Sequence, residues 1–363
     1  MAERTEATTE NRPLRILEIG SRLFLTAAPE QTDFFWAGRK KRHHKPFGPL
    51  PFFRVLARLR RREYDLVVVD APLLPHWHPR SFLTALRDWH VQSFSALFAI
   101  AAVRYMHHFH DVPLAVFDDN DSFGIGAHNF GLIDRCHSYF KRELTADRWQ
   151  VFFKSSHWDL PGRLWRSKSS SQRRLAKLRP LSLGYFPADL EETVEKTTDI
   201  FFAGDTFPNS TVRTEGIREL LALRDEGIRV DIPEARMDRQ AFMRRMAGAW
   251  LAWSPAGYGW DCFRHYEAAE IGTVPVINSP TLYRYAPFRD GEHCLFYTVE
   301  PGELAATVRR ALADKQRLAG IGARAKAHVL AHHSFRARAE HVAATVLGRR
   351  LDGGPAAPNR PAP

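Results

Sequence analysis

The chain has 363 residues, enough for two domains, and its 44% hydrophobic and 26% charged residues are those of an ordinary globular protein. A formal net charge of +11 favours anionic partners such as phosphates or acidic lipid surfaces, and no zinc-finger, RRM or KH pattern supports nucleic acid. Three scattered cysteines, Cys136, Cys262 and Cys294, exclude a disulfide framework or a zinc site and fit a reducing, cytoplasmic setting.

Residues 1–12 are polar and acidic, are expected to be disordered, and carry no basic-then-apolar leader pattern. Residues 14–20 form a short apolar run ending in Gly20. A helix is expected over 52–62. Residues 64–70 place Leu66-Val67-Val68-Val69 before Asp70, a fully buried strand ending in an acid. A helical stretch over 81–107 contains the longest apolar run, 94–103, well short of the roughly 18–20 residues a spanning helix needs. Residues 112–118 repeat the strand pattern, with Leu114-Ala115-Val116-Phe117 before Asp118. The pattern restarts in the second half. Strands are expected near 198–204, 227–232, 250–253 and 274–278, and helices over 211–226, 238–247, 262–271, 302–314 and 317–333.

Apolar strands alternating with helices predict an α/β protein of two doubly wound, Rossmann-like domains facing a cleft. The first domain is expected over 13–188 and the second over 189–350. Residues 351–363, rich in Gly, Pro and Ala, are expected to form a disordered tail. Gly184, Pro187 and an acidic run interrupt the pattern between 181 and 197 and mark the seam.

Residues 254–277 carry the strongest chemical signal. A strand ends at Ser254, a loop with Gly257, Tyr258 and Gly259 follows, and a helix begins near Asp261, and these three loop residues and Asp261 are expected to contact a ligand. Glycines let a backbone approach a ligand closely, and helix N-terminal amides favour anions. Arg264 and Glu267, three apart, share a helix face and suit a diphosphate and a ribose diol. An intrahelical ion pair between them is the competing reading. Arg213, in the first turn of its helix, is read either as a phosphate ligand or as an exposed helical arginine.

The phrase Glu267-Ala268-Ala269, then Gly272, then Val274-Pro275-Val276-Ile277 resembles the nucleotide-binding segment of GT-B glycosyltransferases. Its Gly-Tyr-Gly-Trp-Asp-Cys-Phe-Arg opening is similar to a bacterial branch and to exostosin-like proteins. The resemblance implies that Glu267 holds the donor's ribose hydroxyls and that Arg264 lies near its diphosphate. The turn ending at Gly204 and the helix bearing Arg213 look like the opening of the donor domain. Eight residues before Glu267, where retaining members often carry a second Glu, stands Gly259. The resemblance therefore implies fold and reaction class rather than stereochemistry. It covers about 199–334. The phrase 138–144 (Ser-Tyr-Phe-Lys-Arg-Glu-Leu) is similar to one in the same branch. Its Lys141 and Arg142 are read either as phosphate ligands or as surface charges.

Glycosyl transfer requires neutralisation of a leaving diphosphate and, in inverting enzymes, a base for the acceptor hydroxyl. Asp118, Asp119, Asp121 and, further on, His128 follow the third strand and are the base candidates, Asp119 first among them, although acids there also form turns. No metal or other cofactor is expected. His107 and Asp111 are four apart on a helix end, which the helix dipole alone explains, and no third ligand is identifiable.

The expected function is transfer of a sugar from a nucleotide-sugar donor to a natural product or an envelope glycan or lipid. The basic clusters at 39–42, 58–62 and 163–179 add peripheral contact with an anionic membrane to this expectation. The competing reading is a non-catalytic sugar-nucleotide or polyanion-binding protein with the same fold.

Overall fold

The computed structural model describes residues 12–35, 49–71, 112–126, 129–152, 169–188, 190, 194–205 and 211–356. The chain divides into two compact units. One comprises Met1–Leu181 with Arg338–Pro363, and the other Ser182–Ala337. The sequence reading runs the second domain on to residue 350. In the structure the last helix, Phe335–Leu347, returns the chain to the first unit from Arg338 onward.

The first unit holds a six-stranded parallel sheet. Its strands are β1 (Ile16–Ile19), β2 (Thr32–Phe35), β3 (Leu66–Asp70), β4 (Leu114–Asp118), β5 (Ser138–Lys141) and β6 (Leu178–Pro180). Their order is β2-β1-β3-β4-β5-β6, and every pairing is parallel. β1, β3 and β4 are buried almost throughout, as continuous apolar runs in a doubly wound sheet must be. Helix α1 (Leu23–Ala27) follows β1, and helix α2 (Pro49–Arg60) seats Val55 and Leu59 in the core. The short β2, β5 and β6 lack a long β-branched run, and the sequence reading does not anticipate them as strands.

The C-terminal tail departs from expectation. Leu351 is fully buried, its carbonyl accepts from the Leu14 amide, and its own amide donates to Glu340. Two hydrogen bonds and a buried leucine outweigh the Gly/Pro composition as far as residue 356. Residues 357–363 lie outside the described residues. At the other end, Arg12 forms a double hydrogen bond with Asp65 and is ordered, contrary to the expectation for 1–12; residues 1–11 lie outside the described residues.

The second unit holds a five-stranded parallel sheet, β7 (Thr198–Phe201), β8 (Val230–Asp231), β9 (Ala249–Trp253), β10 (Val274–Asn278) and β11 (Leu295–Tyr297). The order is β11-β10-β9-β7-β8. Helix α3 (Thr211–Ala222) packs so closely that a Cβ on Gly216 would lie 2.2 Å from the Trp253 ring. Asp238 caps α4 (Arg239–Ala247) by accepting from the Ala241 amide. Helix α5 (Phe263–Glu270) leads through Gly272, at φ +75°, into β10. Helices α6 (Glu303–Leu312) and α7 (Lys315–His332) join α3 on one face of the sheet, where Leu304, Val308, Leu318 and Ile321 share a core with Leu220 and Trp253.

A histidine cluster fastens α7 to the loop before β11. The His293 and His328 rings stack at 4.1 Å, with His332 4.9 Å from His328. His328 Nε2 and His333 Nε2 both lie 2.9 Å from the Ala286 carbonyl, so both carry the hydrogen. His333 Nδ1 then accepts from Ser182 Oγ. Burial holds His328 down to about 4 and lowers His293 and His332 as well. Because the unfolded histidine titrates near ~6.5, the unfolded chain binds more protons between that pH and the folded value. His328 therefore costs stability as pH falls through this window. The variant H328Q should gain on the parent by on the order of 1 kcal/mol between pH 7 and pH 5, read from denaturant midpoints. An unchanged difference at the two pH values would count against a neutral, buried His328.

Candidate donor site

In parallel sheets with this order, ligands bind beyond the carboxyl ends of the strands where the order reverses. In the second unit that point lies between β7 and β9. The segments leaving these strands are residues 202–205 and 254–262, which the sequence reading singled out.

Arg264 reaches back from the first turn of α5. Its Nη2 donates to the Ala203 carbonyl at 2.6 Å, and its guanidinium lies 5.1 Å from the Phe202 ring centre. The residue is 9% exposed, yet Nε and Nη1 are buried without a hydrogen-bond partner. Among the described residues Arg264 forms no ion pair. The competing reading of an Arg264–Glu267 pair is therefore not what the structure contains. A buried cation with unmet donors is costly unless an anion completes it.

Gly204 supplies the clearance. A Cβ there would lie 2.6 Å from Arg264 Nη2. Arg213 completes the pair of cations. It is 5% exposed, with Nη1 on the Asp205 carbonyl at 2.6 Å and Nε on the Ala256 carbonyl at 3.1 Å. Burial, and then the charge of Arg264, lower its pKa. The reading of Arg213 as an exposed helical residue is thus overturned, because its side chain turns inward to bind two loop carbonyls. Gly257 is tight against it, since a Cβ there would lie 3.0 Å from Arg213 Nη2. Gly257 donates to the Gly259 carbonyl at 2.9 Å, closing the loop, and Tyr258 at its tip is 76% exposed.

Glu267, one turn along α5, is 6% exposed. Its Oε1 accepts from Arg239 Nη1 at 2.7 Å, and Oε2 accepts no hydrogen bond from the described residues. Asp261 differs from expectation. Its Oδ2 accepts from the Leu183 amide at 2.8 Å, its Oδ1 from the Tyr266 hydroxyl at 2.6 Å, and Arg284 stands 3.8 Å away. It is 1% exposed and holds the loop together rather than presenting a carboxylate to a ligand.

Two supports escaped the sequence reading. Ser254 Oγ and His265 Nδ1 are 2.7 Å apart in full burial, and His265 Nε2 lies 3.0 Å from the Trp260 carbonyl. A carbonyl partner requires hydrogen on Nε2, so Ser254 donates to Nδ1 and the loop is pinned at both ends. Asn278, at the end of β10, accepts from the Ala256 amide at 2.7 Å. The partnership of Ser254 with His265 and that of Asn278 with Ala256 follow no recognisable sequence spacing.

The first unit's reversal point lies between β1 and β3. Gly20 follows β1 at φ +100°, where a Cβ would lie 2.8 Å from Asp70 Oδ2. Asp70 ends β3, and its Oδ1 is buried without a hydrogen-bond partner. Burial, and then the charges of Asp119, Glu18 and Asp118, push the Asp70 carboxyl well above the usual range. The sequence reading noted the acid but did not count it among the base candidates. Asp118 is occupied, accepting from Tyr139 and Asn120 and paired with Lys141 at 3.3 Å. Lys141 is accordingly neither a surface charge nor a phosphate ligand, being fully buried against that carboxylate. Arg142 is spent on Asp121, on Glu143 and on the Asp119 carbonyl, which also removes Asp121 as an unencumbered base. Asp119 is exposed at the rim. His128, and the histidines at 76, 78 and 107–110, lie outside the described residues, as do the basic run 39–42 and the proposed helix 81–107.

Residues 256–344 match the family model described as glycosyl transferase-like. No curated protein matches the sequence. Among solved structures, the chain is similar to HepE of Anabaena in complex with UDP. The two are 13% identical, with a TM-score of 0.52 over 92% of this chain and 99% of that one. It is also similar to sucrose-phosphate synthase from Thermosynechococcus elongatus, at 11% identity and TM-score 0.51 over 90% and 97% of the two chains. The trehalose-phosphate synthase (UDP-forming) of Burkholderia vietnamiensis matches at 11% identity and TM-score 0.50, over 91% and 99%. The fold is that of the GT-B glycosyltransferases, and residues 256–344 carry the likeness to the glycosyl transferase-like family model. The expected pair of Rossmann-like domains is borne out.

Proposed function

We propose that this chain transfers a glycosyl group from a nucleotide-sugar to an acceptor hydroxyl, with the donor's diphosphate held by Arg213 and Arg264. The observation that carries this reading is the buried Arg264 guanidinium, with two unmet donors beside side-chain-free Gly204. Two guanidinium groups supply the positive field that a departing diphosphate needs. This is charge that the reaction would otherwise draw from a metal ion. Glu267 Oε2 is the acceptor for ribose hydroxyls, with Arg239 fixing the carboxylate through Oε1. Complexes of HepE, a protein of the same fold, with UDP and with UDP-glucose support a uridine nucleotide as donor.

On the acceptor side we assign Asp70 as the base. A carboxylate whose basicity is raised by burial suits deprotonation of a hydroxyl better than one tied in an ion pair, as Asp118 and Asp121 are. This environment also favours an enzyme over a non-catalytic sugar-nucleotide binder, which has no use for a raised carboxyl. Peripheral contact with an anionic membrane is supported by α2, which exposes Leu50 and Phe53 near Arg54 and Arg60. Among the described residues no helix is long and apolar enough to cross a membrane.

The test is incubation with UDP-, GDP- and dTDP-sugars, reading thermal stabilisation and release of the nucleoside diphosphate. A ligand at about 100 times its Kd stabilises by about 2.7 kcal/mol, a clear shift in melting temperature. Absence of stabilisation by every nucleotide-sugar would refute the reading.

A further inference from the structure

Asn278 closes β10, one strand beyond the reversal point. Its neighbour across β11 is Tyr297, and on its other side β10 pairs with β9, from which the 254–262 loop departs. The residue is 2% exposed. Its carboxamide orientation is dictated by chemistry. The Ala256 amide is a donor and lies 2.7 Å away, so the atom facing it must be the oxygen and the other branch of the carboxamide is the NH2. That NH2 is buried and has no hydrogen-bond partner. A buried amide nitrogen left unmet costs free energy, and native chains rarely tolerate one without a purpose.

The surroundings say what kind of partner it lacks. Ala256, which Asn278 holds through its amide, offers its carbonyl to Arg213 Nε at 3.1 Å. Asn278 is thus joined to Arg213 through the single residue Ala256, which places its unmet donor in the neighbourhood of the cationic pair. Arg264 adds two further unmet donors. All three unmet groups are N–H donors, so the complement is a ligand presenting several oxygen acceptors along the rim.

We propose that Asn278 Nδ2 donates a hydrogen bond to an oxygen of the bound nucleotide-sugar, a phosphate or a sugar oxygen, and so takes part in recognising the donor. This rests on the reading of the second unit as the donor site. One side chain then has two tasks. Its oxygen sets the 254–262 loop, and its nitrogen reports whether the ligand is complete.

The experiment uses the full chain with N278D and N278A. N278D keeps the oxygen that Ala256 needs and replaces the donor with a second acceptor. N278A removes both without adding charge. Calorimetric titration with UDP, GDP and dTDP, and with their glucose conjugates, separates the outcomes, and unliganded melting temperatures check folding. Roughly a tenfold or greater loss of affinity for the glucose conjugate alone places the contact on the sugar. A similar loss for the diphosphate as well places it on a phosphate. Either result supports the proposal. Parent-like binding of both ligand types by both variants overturns it while leaving the donor site intact. If no nucleotide binds the parent chain, the donor-site reading fails and the proposal falls with it.

Discussion

Replacing Arg264 with methionine should abolish nucleotide-induced stabilisation while leaving the unliganded chain as stable as the parent, or more so. The two halves of this expectation come from the same geometry. In the unliganded protein the guanidinium is 9% exposed, has one hydrogen bond to the Ala203 carbonyl and leaves Nε and Nη1 unmet. Arg213 stands close enough for the two charges to depress its pKa. Such a group is a cost to folding, and an apolar side chain of similar length against the Phe202 ring removes that cost. In the liganded protein the same donors meet phosphate oxygens. Hydrogen bonds to charged groups contribute about 1.5–3 kcal/mol each, so loss of two corresponds to at least about a hundredfold in affinity. A structural arginine gives the opposite pattern, with lower stability and unchanged binding. Melting temperatures with and without nucleotide distinguish the two.

Asp70→Asn should reduce kcat by about a hundredfold to ten-thousandfold, with little change in donor KM, if the carboxylate is the base. The substitution is nearly isosteric and removes a charge whose burial is unfavourable, so stability should hold or rise. The pH profile carries the sign. The base acts when deprotonated, and burial with the neighbouring Asp119, Glu18 and Asp118 raises its pKa. Activity in the parent should therefore decline on acidification from a point above the ordinary carboxylate range, and the D70N residual activity should lack that limb. Retention of full kcat by D70N would remove Asp70 from the mechanism and direct attention to Asp119, exposed at the same rim.

The parts legible in the sequence were those with a strong local signal. Val67-Val68-Val69 and Val274-Pro275-Val276 are continuous apolar runs, and only a sheet covered on both faces buries such strands. Gly204, Gly257, Arg213 and Arg264 were singled out as turn glycines and helix-start cations, and the structure brings them side by side, while Glu267 was singled out by its place in the Glu-Ala-Ala phrase. What escaped was set by tertiary contact. β2 and β6 are strands because a neighbour pairs with them, not through their own composition. Lys141 is read from sequence either as a phosphate ligand or as a surface charge, whereas Asp118, 23 residues earlier, draws it into the interior. Asp261 sits beside the glycine loop in sequence, but its carboxylate is consumed by Leu183 and Tyr266. Asn278 and His265 carry no signature at all, since their roles depend on which amide or hydroxyl the fold brings opposite them.

The central claim is that the reversal point of the second sheet binds the nucleotide part of a sugar donor. Amide hydrogen exchange on the intact chain, with saturating UDP, GDP or dTDP, tests it most directly. Backbone amides exchange more slowly where a ligand accepts their hydrogen bonds or holds their loop closed. The predicted result is new protection concentrated in residues 202–205 and 254–267 with at least one of the three nucleotides. Protection confined to other segments, or none with any nucleotide, would contradict the account.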